Sequence, residues 1–257
     1  MSNQNLKAEI DFFNRLEEKG VLNETILSDK VYDFIFYKIN PYVKSCILEA
    51  GCGTGNFGPV IRNYNKNKIL NLIGIDINKN LLKYAIKTGA YNKVVCGDLN
   101  NKDIFEAESF ETIIATFVIH HFQDILPVIN NFYYWLKKGG FLIILDPNGS
   151  NSIVKISLFS RKIISIFTNT ADYFSPNESH KSIKEFRGGL ANFKIYSIDS
   201  FDYETNNKIK LKPFNLINFL SLIREVLFKI YRFFSFSKFK GSSLIIVAQK
   251  NENDENI

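Results

Sequence analysis

The chain has 257 residues, of which 46% are hydrophobic and 23% charged, a composition typical of a globular protein with one sizeable core. A single domain that carries insertions fits this length better than two domains do. The formal net charge of +6 comes mainly from lysines that are scattered among asparagines and isoleucines without forming a basic run. This pattern indicates a compositional bias and disfavours a nucleic-acid substrate.

The three cysteines, Cys46, Cys52 and Cys96, lie far apart and match no metal-ligand or redox spacing, so we expect no metal site and a reducing compartment. The stretch from Met1 to Asp11 is polar and acidic and lacks the apolar core of a signal peptide. The sequence also lacks a run of about 18 apolar residues, the length that a membrane-spanning helix needs. These features predict a cytoplasmic protein.

Two helices are predicted near the start of the chain. The first covers Leu6–Lys19, whose apolar residues recur at helical spacing. The second begins at the capping residue Ser28 and ends before Pro41. We interpret residues 1–44 as an N-terminal helical lid on a main domain that covers residues 45–257.

From Cys46 onward the pattern changes to short apolar runs that alternate with helical segments. The predicted strands are Cys46–Ala50, Leu72–Ile75, Lys93–Cys96, Glu111–Thr116 and Phe141–Leu145, and the helices between them are Phe57–Tyr64, Asn80–Thr88 and Pro127–Lys137. Strands that are apolar throughout are typical of a parallel sheet with helices on both faces. The sequence therefore predicts an α/β fold.

After Asp146 this alternation lapses, and helical insertions are expected at about 150–190 and 205–240. The predicted segments are a helix at Ile153–Phe167, a polar stretch at Thr168–Gly189, a strand at Lys194–Tyr203, an apolar helix at Phe214–Phe236 and a strand at Ser242–Gln249. Three interpretations of the apolar helix remain open. It packs on the sheet as a cap, it buries its apolar face in a dimer interface or substrate pocket, or it lies on a membrane surface.

A glycine-rich loop follows the first predicted strand. Glycines at this point let the backbone turn tightly and approach a ligand closely, and amides at the start of the next helix bind a negatively charged group. Gly53, Gly55 and Gly58 spell GxGxxG, which taken alone is a weak indication of NAD or FAD binding.

Acidic residues accompany this loop. Glu49 precedes the first glycine by two positions, Asp76 ends the second strand where such folds bind a ribose, and Asp98 follows the third strand. An acid at this last position is well placed to accept a hydrogen bond from an adenine amine. Asp76 and Asp98 also have a structural interpretation, in which each carboxylate caps the helix that follows it.

Five motifs resemble, in order, those of the class I S-adenosylmethionine-dependent methyltransferases. They are Ile47–Gly55, Ile73–Asp76, Val95–Leu99, Phe117–Phe122 and Leu136–Ile144. Their style is closest to the small-molecule and glycan methyltransferases of the type 11-like group, since the turn Asp146-Pro147-Asn148 resembles the Glu-Pro-Asn turn of several of them. The resemblance implies a Rossmann-like, doubly wound, seven-stranded sheet, mostly parallel with an antiparallel last strand, and helical caps.

The same resemblance implies where S-adenosylmethionine binds. Ten residues are implied to contact or orient it, namely Glu49, Gly51, Cys52, Gly53, Gly55, Asp76, Ile77, Asp98, Leu99 and Thr116. In this family the glycine loop holds the methionine part and the acid after the second strand holds the ribose. Ile77 and Leu99 would then flank the adenine ring, and Asp98 would meet its amine.

Methyl transfer to a hydroxyl group also needs a base near the methyl carbon. The candidates are His121, His120 and Asp146, all at the carboxyl edge of the predicted sheet, and a histidine titrates near neutral pH. The alternative is that the two histidines only shape the loop. We expect O-methylation of a small-molecule, sugar or lipid-linked acceptor, with N- and C-methylation open. Two other functions are a nicotinamide-dependent oxidoreductase and a non-catalytic S-adenosylmethionine-binding partner subunit.

Overall fold

A computed structural model describes residues 3–18, 27–152, 154–155, 177–202 and 241–252. The predicted helix at Phe214–Phe236 and all but two residues of the one at Ile153–Phe167 lie outside these ranges. Within them, no helix combines the length and the apolar character needed to cross a bilayer.

Seven strands form one sheet at the centre of the molecule. They are β1 Cys46–Ala50, β2 Asn71–Asp76, β3 Lys93–Cys96, β4 Phe110–Thr116, β5 Leu136–Pro147, β6 Phe193–Phe201 and β7 Ser243–Lys250. Their order across the sheet is β3-β2-β1-β4-β5-β7-β6. The first five strands are mutually parallel, and β7 runs antiparallel to both β5 and β6. The predicted seven-stranded sheet with an antiparallel last strand is confirmed.

The described residues form six α-helices. They are α1 Asn3–Glu18, α2 Asp29–Ile39, α3 Gly58–Tyr64, α4 Lys79–Lys87, α5 Leu126–Trp135 and α6 Ile183–Gly189. The start of α4 is fixed by Asn78, whose side chain accepts hydrogen bonds from the backbone amides of Asn80 and Leu81. A short 3-10 turn at Ile119–His121 follows β4.

The prediction is wrong in two regions, each for a local reason: the polar stretch before Gly189, and the junction of α5 and β5, where the strand begins at Leu136 and not at Phe141. The segment interpreted as a polar stretch up to Gly189 contains α6, which begins at a capping box formed by Ser182 and Glu185 and buries Phe186. The helix predicted to reach Lys137 ends at Trp135 instead. The next residue, Leu136, is fully buried and already pairs with Phe110 as the first residue of β5.

Apolar layers cover both faces of the sheet. On β5, Ile144 belongs to the cluster that contains Trp135 of α5, whereas its neighbour Ile143 belongs to the cluster that contains Phe36 of α2. Successive strand residues point to opposite faces, so helices cover both sides and the strands are apolar throughout. The helix α2, which was predicted to be part of a lid, therefore packs in the core. Polar residues that could act on a ligand therefore lie at the carboxyl edge of the strands.

Candidate active site

A cavity of about 780 Å³, including its open mouth, lies at the carboxyl edge of β1 to β4. This is where the strand order reverses direction around β1, the position at which open α/β sheets bind ligands. Its wall comes from the loops after β1, β2, β3 and β4, from the start of α4 and from one face of α1. Seven of the residues predicted for the site lie on this wall, namely Gly51, Gly53, Asp76, Ile77, Asp98, Leu99 and His121.

The glycine loop has a backbone conformation that favours glycine. Gly51, Gly53 and Gly55 have φ angles of +71°, +52° and +82°. The amide of Gly51 donates to the carbonyl oxygen of Ile75 at 2.8 Å, which ties the loop to the end of β2. A Cβ atom on Gly51 would lie 2.4 Å from Cγ2 of Val118, so this position also requires the absence of a side chain.

Asp76 links the glycine loop to the turn after β2. Its Oδ2 accepts a hydrogen bond from the amide of Gly53 at 2.9 Å, and its Oδ1 accepts one from the amide of Asn78 at 2.9 Å. Burial raises the pKa of Asp76 although these amides act in the opposite direction. The residue that caps α4 is Asn78, so the helix-capping interpretation does not describe Asp76.

Asp98 lies at the far end of the cavity, beside Leu99. Its Oδ1 accepts hydrogen bonds from the backbone amide and the side-chain Nδ2 of Asn100, both at 2.9 Å. The short helical turn that follows is capped by Asn101, whose side chain accepts from the amide of Asp103. The Asp98 carboxylate therefore shapes its own loop and forms part of the cavity wall.

The last glycine of the GxGxxG pattern makes room for a tyrosine. A Cβ atom on Gly58 would lie 2.7 Å from the hydroxyl oxygen of Tyr91. That hydroxyl donates to Oε2 of Glu49 at 2.8 Å, below the glycine loop. Burial raises the pKa of Glu49 to about 8. The glycine at position 58 is therefore explained here by packing around a buried pair, without a pyrophosphate.

Six predicted site residues lie away from the cavity wall, namely Glu49, Cys52, Gly55, Thr116, His120 and Asp146. Cys52 is buried against α4, and burial raises the pKa of its thiol. Gly55 also faces α4, where a Cβ atom would lie 2.6 Å from Cα of Ala85. Thr116 ends β4, and its hydroxyl is buried without a hydrogen bond to any described residue.

Two histidines follow β4 and have different surroundings. His121 lies on the cavity wall, and its Nδ1 is 2.7 Å from Oε1 of Glu9 in α1. His120 lies behind it, with its Nδ1 2.9 Å from Oδ1 of Asp146. The centres of the two imidazole rings are 4.1 Å apart.

These surroundings set the protonation of the two rings in opposite directions. Burial lowers the pKa of His120 well below its ordinary value, and the neighbouring His121 adds to this effect. Burial also acts against protonation of His121, but the hydrogen bond and charge of Glu9 outweigh it and raise the pKa of His121. Burial raises the pKa of Asp146 to about 7. His120 is thus held as a neutral ring, and the pKa of His121 lies above its ordinary value.

Sequence reasoning missed three residues around this site. Tyr91 holds Glu49, Glu9 holds His121, and the ring of His180 lies 5.9 Å from that of His120. Only Glu9 left a local signal, because it interrupts the apolar stripe of α1. The other two are brought in from distant parts of the chain.

A family model described as a methyltransferase domain matches residues 48–142. The matched segment begins within β1 and ends within β5, so it includes the glycine loop, Asp76, Asp98 and both histidines after β4. This segment of the chain is a class I, Rossmann-like methyltransferase domain. Its cofactor is S-adenosylmethionine.

Curated relatives of this methyltransferase act on different acceptors. A demethylmenaquinone methyltransferase of Thermotoga maritima is 26% identical over 178 residues, which cover 66% of this chain and 73% of the relative. A tRNA N(3)-methylcytidine methyltransferase of Schizosaccharomyces pombe is 25% identical over 145 residues, covering 52% of this chain and 47% of that protein. A solved S-adenosylmethionine-dependent methyltransferase from Archaeoglobus fulgidus shares the fold, with a TM-score of 0.57, 18% identity and coverage of 87% and 95% of the two chains.

The charges on the cavity wall fit a positively charged methyl donor. Glu9, Asp76 and Asp98 are acidic, and no lysine or arginine occurs among the described residues of the wall. The sulfonium and amino groups of S-adenosylmethionine are cationic, and these carboxylates would attract them. The electrostatics of this methyltransferase therefore agree with its family.

Proposed function

We propose that this methyltransferase methylates a hydroxyl group of a small-molecule, sugar or lipid-linked acceptor, with His121 as the general base. The observation that supports it is the position of His121 on the cavity wall, while the other two candidate bases, His120 and Asp146, lie behind that wall. S-adenosylmethionine, when bound, supplies a methyl group on a positively charged sulfur. His121 would accept the hydroxyl proton as the oxygen–carbon bond forms and the carbon–sulfur bond breaks.

The donor would lie along the loops after the first three strands. Gly51 and Gly53 would hold its methionine part, Asp76 its ribose and Asp98 its adenine amine. Ile77 would contact the adenine ring. All five residues lie on the cavity wall, which supports this assignment. In this arrangement the chain mainly aligns the two reactants and excludes water, and both effects accelerate an in-line displacement.

The acidic cavity wall favours a small acceptor over RNA. Phosphate groups would meet the carboxylates of Glu9, Asp76 and Asp98 at close range. The wall is otherwise largely apolar, including Phe13, Phe117 and Phe122. A largely apolar wall with few polar groups suits a small organic acceptor.

A lipid-linked acceptor would require contact with a membrane surface, for which the predicted helix at 214–236 is the candidate. We expect co-sedimentation with liposomes, and we expect it to weaken when Phe233 and Phe234 are both changed to serine. Unchanged sedimentation of this variant, with circular dichroism showing that it is folded, would contradict membrane contact through this helix.

The proposed chemistry is tested with His121→Asn. The variant and the wild type are incubated with a radiolabelled methyl donor and a panel of hydroxyl- and amine-bearing small molecules. We expect label on oxygen with the wild type, and a rate about 100- to 1,000-fold lower with the variant, because general base catalysis contributes about this much. Calorimetry with S-adenosylhomocysteine checks that donor binding is within about threefold of the wild type.

His180→Asn is the matched control, since it removes a histidine of the same cluster that does not lie on the cavity wall. We expect it to retain most of the rate. Undiminished turnover by His121→Asn would disprove the role of the base. Label found on nitrogen or carbon alone would disprove O-methylation.

A further inference from the structure

We infer that Glu9 of α1 is a positioning residue for His121. The imidazole ring has the orientation that the base needs only when α1 lies across the cavity. This inference rests on the proposed role of His121 and adds to it a residue from a different part of the chain. No motif of the methyltransferase family segment contains Glu9, because the matched segment begins at residue 48.

The Glu9 carboxylate joins three segments of the chain. Its Oε1 is 2.7 Å from Nδ1 of His121, and its Oε2 accepts a hydrogen bond from Nδ2 of Asn177 at 3.0 Å. Asn177 is 168 positions away from Glu9 in the sequence. The side chain of Glu9 is only 6% exposed, so both oxygens are held in place within the protein. A carboxylate anchored at both oxygens is a rigid support for an imidazole ring.

Contacts of α1 with the histidine fix the plane of its ring. The ring of Phe13 lies edge-on to that of His121, with 5.6 Å between the ring centres. On the other side is the ring of His120, which is itself held by Asp146. Among the described residues, Glu9 and Phe13 of α1 and the ring of His120 therefore orient His121.

The hydrogen bond to Glu9 selects which nitrogen of His121 reacts. Because Nδ1 carries the proton directed at Glu9, proton exchange with an acceptor would occur at Nε2. When Nε2 gains a proton, the ring becomes positively charged, and the Glu9 carboxylate stabilises that charge at 2.7 Å. Among the described residues, the other charged or titratable groups that act on this ring include Asp76, His120, Asp146 and Glu178.

The remaining contacts of α1 hold Glu9 over the cavity. Oδ1 of Asn14 accepts hydrogen bonds from the side chains of Asn78 and Asn80 at 3.0 Å and 3.2 Å. One turn further on, Glu17 accepts a hydrogen bond from the hydroxyl of Tyr84 at 3.0 Å. These contacts attach α1 to α4, on the donor side of the cavity. A single helix thus bridges the loop that would hold the donor and the residue that would activate the acceptor.

The decisive measurement is an NMR titration of histidine rings in the full chain, labelled at histidine and saturated with S-adenosylhomocysteine. Glu9→Gln keeps the size of the side chain but removes its charge. We expect the titration midpoint of His121 to move to lower pH in this variant, because the carboxylate that favours the protonated ring is gone. The methylation rate at its pH plateau should fall about 10- to 100-fold, and the rising limb of the pH profile should move in the same direction.

Glu17→Gln is the matched control. It is the same chemical change on the same helix, about 12 Å along the axis from Glu9, at a residue that contacts Tyr84 instead of a histidine. The titration midpoint of His121 in Glu17→Gln should equal that in the wild type. Equal shifts in the two Glu→Gln variants would overturn the inference, since the effect would then come from a general loosening of α1.

Should Glu9→Gln fail to fold, Glu9→Asp gives a second test, because it keeps the charge and lengthens the contact by about one carbon–carbon bond. A lower midpoint than in the wild type is expected, and an unchanged midpoint with an unchanged rate would overturn the inference. An unshifted Glu9→Gln titration, together with an inactive His121→Asn, would reject the role of Glu9 and leave the proposed function standing. An active His121→Asn would reject both.

Discussion

The two sides of the cavity are constructed in different ways. On the donor side, the loops after β1, β2 and β3 provide backbone amides, glycines and carboxylates that lie within one stretch of about fifty residues. On the acceptor side, His121 is oriented by Glu9 from α1, and Glu9 is in turn held by Asn177. Donor binding therefore depends on local backbone geometry, whereas base positioning depends on side chains brought together by the fold. Changes to the two sides should have different measurable effects.

The largest effect on donor binding should come from adding a side chain to the glycine loop. Gly51→Ala places a Cβ atom 2.4 Å from Val118 at a φ angle of +71°. The strained backbone and the steric clash should together weaken S-adenosylhomocysteine binding about 100-fold, which corresponds to about 2.7 kcal/mol. Isothermal titration calorimetry measures this change.

Gly53→Ala is the control for this prediction. Its φ angle of +52° is also positive, but no heavy atom lies within 4 Å of the added Cβ. Strain alone should cost about 1 kcal/mol, so binding should weaken only about fivefold. If the two variants bind S-adenosylhomocysteine equally, the contact with Val118 is not what requires a glycine at position 51.

An intermediate effect concerns two of the buried carboxyl groups, Glu49 near the glycine loop and Asp146 beside His120. Glu49 has a pKa near 4.5 when unfolded and about 8 when folded, and Asp146 changes from 3.8 to about 7. Each folded carboxyl keeps its proton while the unfolded one has lost it, so the free energy of unfolding should fall as pH rises from about 4 to 8. Glu49→Gln should remove the contribution of Glu49 to this decline, which is about 1.4 kcal/mol for each pH unit between the two pKa values.

Urea denaturation at pH 5, 6.5 and 8 measures these slopes. Asp146→Asn should reduce the fall in the free energy of unfolding over a lower pH range than Glu49→Gln does, mainly below pH 7. If neither substitution changes the slope of the free energy of unfolding against pH, both carboxyl groups are already ionised in the folded protein near neutral pH.

A smaller effect on donor binding than that of Gly51→Ala should come from Asp76→Asn. The amide retains one oxygen acceptor, so one of the two contacts at 2.9 Å, to Gly53 or to Asn78, can persist. We expect S-adenosylhomocysteine to bind about tenfold more weakly, which corresponds to about 1.4 kcal/mol. The His121 titration should keep its midpoint if the donor and acceptor sides are independent. A large shift of that midpoint would show that they are coupled.

The same contrast explains what the sequence could predict. The strands and the glycine loop were predicted because their signals are local: apolar runs buried on both faces, and glycines directly after β1. The role of Tyr91 could not be seen, since its partner Glu49 lies 42 positions away. His180 lies near the other two histidines because the chain after residue 177 packs against the turn at Ile119–His121. In this contact the amide of Ser179 donates a hydrogen bond to the carbonyl oxygen of His120. Periodicity contains no information about such contacts.

The fit between Tyr91 and the glycines around it has a consequence for how substitutions combine. A Cβ atom on Gly58 or Gly74 would lie 3.0 Å or less from the Tyr91 ring. Each glycine should therefore tolerate alanine better once Tyr91 is replaced by a smaller residue, and the effects of the paired changes should be clearly non-additive. In a homologue that lacks the aromatic ring, loss of the third glycine would then reflect compensation between packing partners and would not indicate a different ligand.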